Sequence, residues 1–317
     1  MSMPLKKQHK MAKPVAVILL NWNTPVHTAN CIRSLRHYCN ESFFDIIIAD
    51  NGSTDNSLTI LKNHFPDLIY IDNKENLGFA EGNNKALIYS IDQRYTYSLV
   101  INTDTEVNED IVAKLSSHLN QHPEAAAVQP SIFWMHKRSM IWNGEGSFNK
   151  VLGITSSNTN LPDSDNYKKV EWLTGCCMLI RNSALIKSGL FNKKFFLYFE
   201  DVELSFRLRS NGYELHYLPS CKMYHEAGVS AKVAAPKKEG LLSPVIHYYI
   251  SRNHLWILRR YGKPVFYPIN MIYNSIYYAA LWAYFRMRGR KEKARLLVKG
   301  LKEGFFTPKS LIWPENN

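Results

Sequence analysis

The stretch VAVILLNWNTPVHTANCIRSLRHYCNESFFDIIIAD, residues 15–50, decides the fold class. Two short runs, VAVILL (15–20) and DIIIAD (45–50), bracket a segment from Val26 to His37 with helical spacing of its apolar residues. The runs are rich in β-branched residues and nearly continuous in apolar character, as strands buried on both faces are. The alternation continues, with strands expected at Leu68–Asp72 and Ser98–Asn102 and helices at Asp55–His64, Ala80–Ser90 and Glu109–His122. Strands separated by helices imply a mainly parallel α/β sheet, Rossmann-like, with helices flanking both faces. Ligands of such sheets bind beyond the carboxyl ends of the strands. Three strands end there in polar residues: Asn21, Asp50 and Asn102–Asp104.

Further along the chain the signals change. Pro130 to about Lys169 is rich in Gly, Ser and Asn and reads as a flexible region facing a substrate. VEWLTGCCMLI (170–180) and YELHYLP (213–219) read as strands, and residues 235–244 as a linker. Residues 1–13, basic but lacking the apolar core of a signal peptide, read as a flexible tail.

At 317 residues, with 45% hydrophobic and 13% aromatic side chains, the chain buries a large core, and disorder is excluded as its default state. A net charge of +12 and an isoelectric point near 9.3 favour acidic partners: nucleic acid, anionic lipid or phosphorylated small molecules. Nucleic acid is the poorest fit, because the positive residues gather in the tail beside aromatics, away from any sheet or recognition helix. Five cysteines without metal-site spacing make a poor disulfide framework and point to a reducing cytoplasmic setting.

There is no GxGxxG and no GxxxxGK[ST], so a bound diphosphate would need a divalent cation held by carboxylates in place of a glycine cradle. Asp104, placed by a short turn after a buried strand, offers a hard oxygen ligand; taken alone, Asn102-Thr103-Asp104 reads first as a plain turn capping the next helix. Asp50, at another strand tip, is placed to accept a hydrogen bond from a base N–H, although most of ADNGSTDNS (49–57) is turn chemistry. In FFLYFEDVELSFRLRSNGYEL (195–215), three acids follow a run of aromatics; Glu203 pairs with Arg207 at i, i+4 spacing, worth a few tenths of a kcal/mol on a helix surface, and Asn211-Gly212 stops that helix.

VILLNWNTP, ADNGSTDNS, NLGFAEGNN, INTDTE, WLTGCCMLIR, FFLYFEDVELSFRLRSNGYEL and MYHEAG occur in that order between about Val15 and Arg260. Together they resemble the family 2 glycosyltransferases, in particular the bacterial rhamnosyltransferase-like branch that builds cell-surface polysaccharides. The resemblance implies a GT-A fold, a nucleoside-diphosphate sugar donor, a divalent metal (Mg2+ or Mn2+), inversion at the anomeric carbon and a saccharide or lipid-linked acceptor. It assigns nucleotide-sugar binding to Leu20, Asn21, Asn23, Asp50, Asn51, Asn76, Gly78, Asn83, Asn102, Thr103 and Arg252, the last of which reads equally as a helix-fixing residue. Trp172, Gly175 and Tyr198 fall on the acceptor and sugar side. The family's DxD stands here as Asn102-Thr103-Asp104, leaving Asp104 the main carboxylate ligand, and His225 matches a late histidine that contacts metal or diphosphate; without the resemblance, a lone His reads first as structural. Asp201 matches the catalytic base, with Glu200 beside it at the helix start.

The resemblance also divides the chain into a nucleotide-sugar-binding half (14–130), an acceptor-binding and catalytic half (131–235) and a C-terminal helical, aromatic and basic extension (236–317). One departure is the turn before Phe195, where Asn192-Lys193-Lys194 carries positive charge in place of the family's frequent acid. Two alternatives stand beside the transferase reading: a sugar-1-phosphate nucleotidyltransferase, against which LLNWNTP replaces the glycine-rich first loop, and a non-catalytic nucleotide-sugar-binding protein, against which both Asp104 and Asp201 are present. In the extension, Pro264–Phe285 holds no charged residue but five tyrosines and two prolines. It is too polar and too proline-broken for a good membrane span, and its basic flanks fit an anchor on the inner surface of the cytoplasmic membrane before ordinary packing.

Overall fold

The computed structural model describes residues 13–228, 239–240 and 242–313. The N-terminal tail before Lys13 and residues 235–238 and 241 of the expected linker lie outside them. The opening unit folds as its pattern requires. β1 (Val15–Asn21) and β2 (Phe44–Asp50) pair in parallel, Val15 opposite Phe44 and Asn21 opposite Asp50, with α1 (Pro25–Tyr38) crossing between them. Pro25 occupies the first turn of α1, where its missing N–H leaves no bond unmade. The pattern then repeats through α2 (Ser57–His64), β3 (Ile69–Asp72), α3 (Gly78–Asp92) and β4 (Tyr97–Ile101).

Successive residues of β1 serve opposite layers. Val15, Val17 and Leu19 join one apolar cluster with Ile32 and Leu35 of α1, while Ala16 and Ile18 join another with Ala80, Ala86 and Leu87 of α3. All five cysteines are buried and unpaired in disulfides, as small apolar residues would be.

After β5 (Thr105–Val107) and α4 (Ile111–Gln121), the region expected to be irregular is built of strands. These are β6 (Ala125–Trp134), β7 (Lys137–Asn143), β8 (Glu145–Asn149), β9 (Ile154–Asn158) and the short β10 (Lys168–Lys169). β6 escaped notice because it lies between two strands: nine of its ten residues are buried, including Gln129 and Ser131, so no alternation marks it. Pro130 within it is accommodated where the pairing with β12 slips, between Leu218 and Lys222. β11 (Cys177–Arg181) is shorter than the run 170–180 suggested, α5 (Asn182–Ser188) and α6 (Glu200–Ser210) follow, and β12 (Glu214–His225) is longer than expected.

The sheet order is β10-β12-β6-β11-β4-β1-β2-β3. It is parallel from β4 to β3 and again between β6 and β12, with β11 antiparallel between the two blocks. The C-terminal region forms α7 (Pro244–Tyr261), α8 (Tyr267–Met287), α9 (Lys291–Phe306) and α10 (Lys309–Ile312). Pro268 does not break α8; it sits in the first turn, where proline is tolerated. No helix among the described residues is long and apolar enough to cross a membrane.

Candidate active site

Three strand ends and the loops behind them form one polar rim. The Asn21 amide donates to Asp50 Oδ1 at 2.8 Å and its oxygen accepts from Thr28 at 2.7 Å. Asp50 also accepts from the backbone and hydroxyl of Ser53, at 3.0 and 2.7 Å. Asn23, held at φ +54°, accepts from the Thr54 backbone N–H at 2.8 Å. Asn51 ties this rim to the next turn, donating to Asn76 Oδ1 and the Gly78 carbonyl, both at 3.1 Å, and accepting from the Leu77 N–H at 3.1 Å. Leu20 packs against Gly82 on the same side. These residues are thus brought together, and much of their bonding capacity shapes one floor.

Gly78 shows how the rim meets the rest of the site. Its φ is +74°, and a Cβ there would collide with the Phe196 carbonyl. That carbonyl accepts from the N–H groups of Phe79 and Ala80, at 2.6 and 3.3 Å, and so closes the N-terminus of α3. Asn83, one turn further on, donates to the Phe79 carbonyl, and its own side-chain oxygen is buried without a partner among the described residues.

The turn after β4 faces the end of β12. His225 pairs with Thr105 across the sheet, and its Nε2 lies 3.0 Å from Asp104 Oδ1. Thr103 is buried beside Thr24. The His225 ring meets the edge of Trp142 at 4.3 Å, and its Nδ1 is buried without a partner among the described residues. The turn thus brings a carboxylate oxygen and an imidazole nitrogen together, donor types that a divalent cation accepts. A second cluster, Glu124, Glu214 and His216, lies toward the opposite end of β12, where His216 and Lys169 already bind Glu214.

Asp201 stands on the other side of the Thr174–Cys176 turn. The Asn102 N–H donates to the Cys176 carbonyl at 2.8 Å, and the Gly175 N–H donates to Asp201 Oδ2 at 2.9 Å. Burial pushes the Cys176 thiol well up, and the charges of Asp104 and Asp201 both add to it, so the two carboxylates flank that turn. Burial raises the Asp201 carboxyl too, partly offset by N–H bonds from Gly175 and Val202. Glu200 is 5% exposed, and burial followed by the Asp201 charge holds its carboxyl far above the usual range. Its Oε2 has no partner among the described residues. Both carboxyls are thus raised by burial, Glu200 more strongly, and Asp201 is the one whose charged form has two N–H donors.

Phe196, Tyr198 and Phe199 adopt φ of +63°, +67° and +67°, a conformation costly for bulky residues and typical of functional loops. The loop is held from α7. The Asn253 amide donates to the carbonyls of Phe195, Leu197 and Tyr198, at 2.9, 2.9 and 2.7 Å. Arg252 donates to those of Lys194 and Phe195, both at 3.0 Å, and lies over the Trp256 ring at 4.2 Å. Phe196 stacks on Tyr249 and Phe199 on His254. Burial pushes the Tyr198 phenol up to about 12. Asn253 and His254 were missed in the sequence; the signal was an Arg-Asn-His triplet on a helix whose other residues are mostly apolar.

Two other side chains sit differently from expectation. Glu203 is fully buried, gripped by Arg207 at 2.8 Å and by the Tyr261 hydroxyl at 3.1 Å. It is therefore a buried ion pair and not a surface one, and removing one partner of such a pair costs about 3–5 kcal/mol. Trp172 donates its indole N–H to the Ser147 carbonyl at 3.0 Å and packs in the cluster of Phe148 and Phe206.

This arrangement is a GT-A fold, and solved structures share it. A mannosyltransferase from Pyrobaculum calidifontis, solved with GDP-Man and Mn2+, superposes over 95% of this chain and 84% of its own, with a TM-score of 0.56 at 15% identity. GalNAc-T7 with UDP, GalNAc and Mn2+ covers 67% of this chain and 44% of its own, with a TM-score of 0.57 at 13% identity. The sequence model of glycosyl transferase family 2 matches residues 16–189, and the chain belongs to that family. It is 27% identical over 210 residues to the low-salt glycan biosynthesis hexosyltransferase Agl10 of Haloferax volcanii, a match spanning 64% of each chain. It is 25% identical over 236 residues to an N-acetylglucosaminyl-diphospho-decaprenol L-rhamnosyltransferase of Mycobacterium tuberculosis, over 68% of this chain and 76% of the relative. The match thus falls just short of two thirds of the archaeal relative's length.

Proposed function

We propose that the chain is an inverting, metal-dependent glycosyltransferase. It moves a sugar, rhamnose or another hexose, from a nucleoside diphosphate to a saccharide or lipid-linked acceptor, in cell-surface polysaccharide synthesis at the inner face of the cytoplasmic membrane. The names of the relatives support the sugar class and the lipid-linked acceptor. One observation carries the reading: a buried, proton-attracting carboxylate, Asp201, is fixed by the turn that also fixes Asn102–Asp104.

In this reading residues 14–130 bind the donor, 131–235 bind the acceptor, and 236–317 form the supporting extension. The rim of Asn21, Asp50 and Asn51 receives the nucleoside, and Asn83, whose side-chain oxygen is buried without a partner among the described residues, serves the same donor pocket. Asp104 and His225 would hold the divalent cation, which when bound offsets the charge gathering on the departing diphosphate. Asp201 accepts the proton of the acceptor hydroxyl as that oxygen attacks the anomeric carbon. The bond to the diphosphate breaks on the opposite face, so no covalent enzyme intermediate is needed. Glu200, protonated, keeps a second negative charge out of the pair and leaves Asp201 as its base.

A panel of nucleotide sugars, screened for Mn2+-dependent hydrolysis, identifies the donor. With that donor, D201N should lose about 10²–10⁴-fold in transfer while nucleotide binding, read by calorimetry, is retained. Transfer within tenfold of the parent chain would remove Asp201 from the role of base.

A further inference from the structure

α8 is inverted relative to a helix that faces water. Its inward stripe begins polar: Asn270 donates to the carbonyls of Lys150 and Val151, Asn274 to that of Leu152 at 2.9 Å, and Tyr278 bonds His254 at 2.7 Å; only its last turns are apolar inward, where Phe285 packs with Leu297. Its outward side is apolar, with Ile272 63%, Ile276 65% and Met287 80% exposed, and Ile269, Tyr277 and Trp282 beside them. Such a helix normally turns its apolar stripe to the core and its polar residues to solvent. Met271 and Phe305 line one cleft, so the apolar surface continues from α8 onto the end of α9.

The segment that carries this face is basic, and the nearest acids on α9, Glu292 and Glu303, are paired with Arg295 and Lys299. From Lys263 to Lys291 there are five basic residues, Lys263, Arg286, Arg288, Arg290 and Lys291, and no acid. Arg286 lies over Trp282 and Arg290 over Tyr284, so cations and rings alternate at one end of the stripe. Aromatic and basic residues bordering an apolar stripe suit the headgroup layer of a bilayer, where cations are drawn to an anionic surface. A second copy of the chain would bring like charges together instead.

We infer that the outward face of α8 lies in the surface of an anionic lipid bilayer, with Ile269, Ile272 and Ile276 among the acyl chains and the basic residues at the headgroups. α8 is bonded to His254, and His254 stacks on Phe199 beside Glu200 and Asp201, so the docked helix also braces the catalytic loop. The inference deepens the membrane part of the proposed function and rests on it. Binding to vesicles needs no turnover, so its failure leaves the transfer assignment standing.

The full chain is floated with vesicles of phosphatidylcholine alone and of phosphatidylcholine and phosphatidylglycerol in equal parts. It should float with the anionic vesicles and be released by high salt. The double variant I272E and I276E, altered only at exposed positions, should keep its melting temperature and its donor hydrolysis in solution while losing about tenfold or more in vesicle affinity. Failure of the parent chain to float, or equal flotation of the variant, overturns the proposal. A dimer seen by light scattering that the same substitutions dissolve, without flotation, also overturns it in favour of a second copy.

Discussion

At the residue scale, the site turns on which of two adjacent acids keeps its proton. Folding raises the Glu200 carboxyl, so its stabilising contribution is full below its unfolded value and is lost as pH rises through its folded one. Glutamine keeps the shape and removes the titration. E200Q should therefore melt like the parent chain in acid and progressively above it as pH rises to neutral; parallel curves of melting temperature against pH would refute the assignment. Asn253 acts through carbonyls, so its loss should appear in orientation more than in binding. N253A should lower kcat by about 10²-fold with little change in donor KM, because misplacing a reacting group by about an ångström has that cost. A matching rise in KM, with kcat kept, would mean that Asn253 serves the donor directly. The positions of Asp104, Asp201 and His225 were legible in the sequence because they follow strand ends or open a helix within matched motifs; their roles are those proposed above. Asn253 was not, because its partners lie 55–58 residues away and it meets their backbone, which leaves no pattern in their side chains.

At the element scale, the half of the sheet from β4 to β3 was readable because each strand is a short apolar run between amphipathic helices. β6 was not, since a strand buried on both faces and carrying Gln129, Pro130 and Ser131 looks like a loop. Gln129 is tolerated there because its amide donates to Asn143 and the Gly144 carbonyl, at 3.0 and 2.8 Å. α8 misled in another way: its tyrosines and asparagines look like one mixture in sequence, and only the packing separates them into an inner polar and an outer apolar stripe. The α7–α9 crossing depends on small residues. A Cβ on Gly300 would collide with Ser251 Oγ and the Tyr248 carbonyl, and Gly304 lies against Arg252 in the same way. G300V should thus force the helices apart and destabilise the chain by about 1–3 kcal/mol in denaturant unfolding. Because α7 carries Arg252 and Asn253, the same variant should lose turnover under conditions where it is still fully folded. Full turnover in a destabilised G300V would mean that the clamp does not feel the crossing.

At the scale of the whole molecule, the question is whether the C-terminal extension is a separable appendage. One apolar cluster answers it: Phe148, Trp172, Phe195, Val202 and Phe206 pack with Leu255, Trp256, Ile257 and Leu258 of α7 and with Ile312 of α10. The two larger clusters cover opposite faces of one sheet whose strands come from both the donor and the acceptor halves. A boundary at 130 would divide both larger clusters, and one at 235 would divide the cluster that Trp172 and Phe195 share with Trp256 and Leu258. The proposed division into donor, acceptor and supporting regions therefore does not coincide with separate cores among the described residues. Calorimetry should then show a single transition in which the calorimetric and van't Hoff enthalpies agree, and W256A, though in the extension, should lower that one transition as a whole. Two resolved transitions, with only one shifted by W256A, would show that the extension folds by itself. The proposed membrane face and the proposed catalytic loop are also joined by direct bonds: Tyr278 of α8 meets His254 of α7, and the adjacent Asn253 holds the carbonyls of Phe195 and Tyr198 just before Asp201.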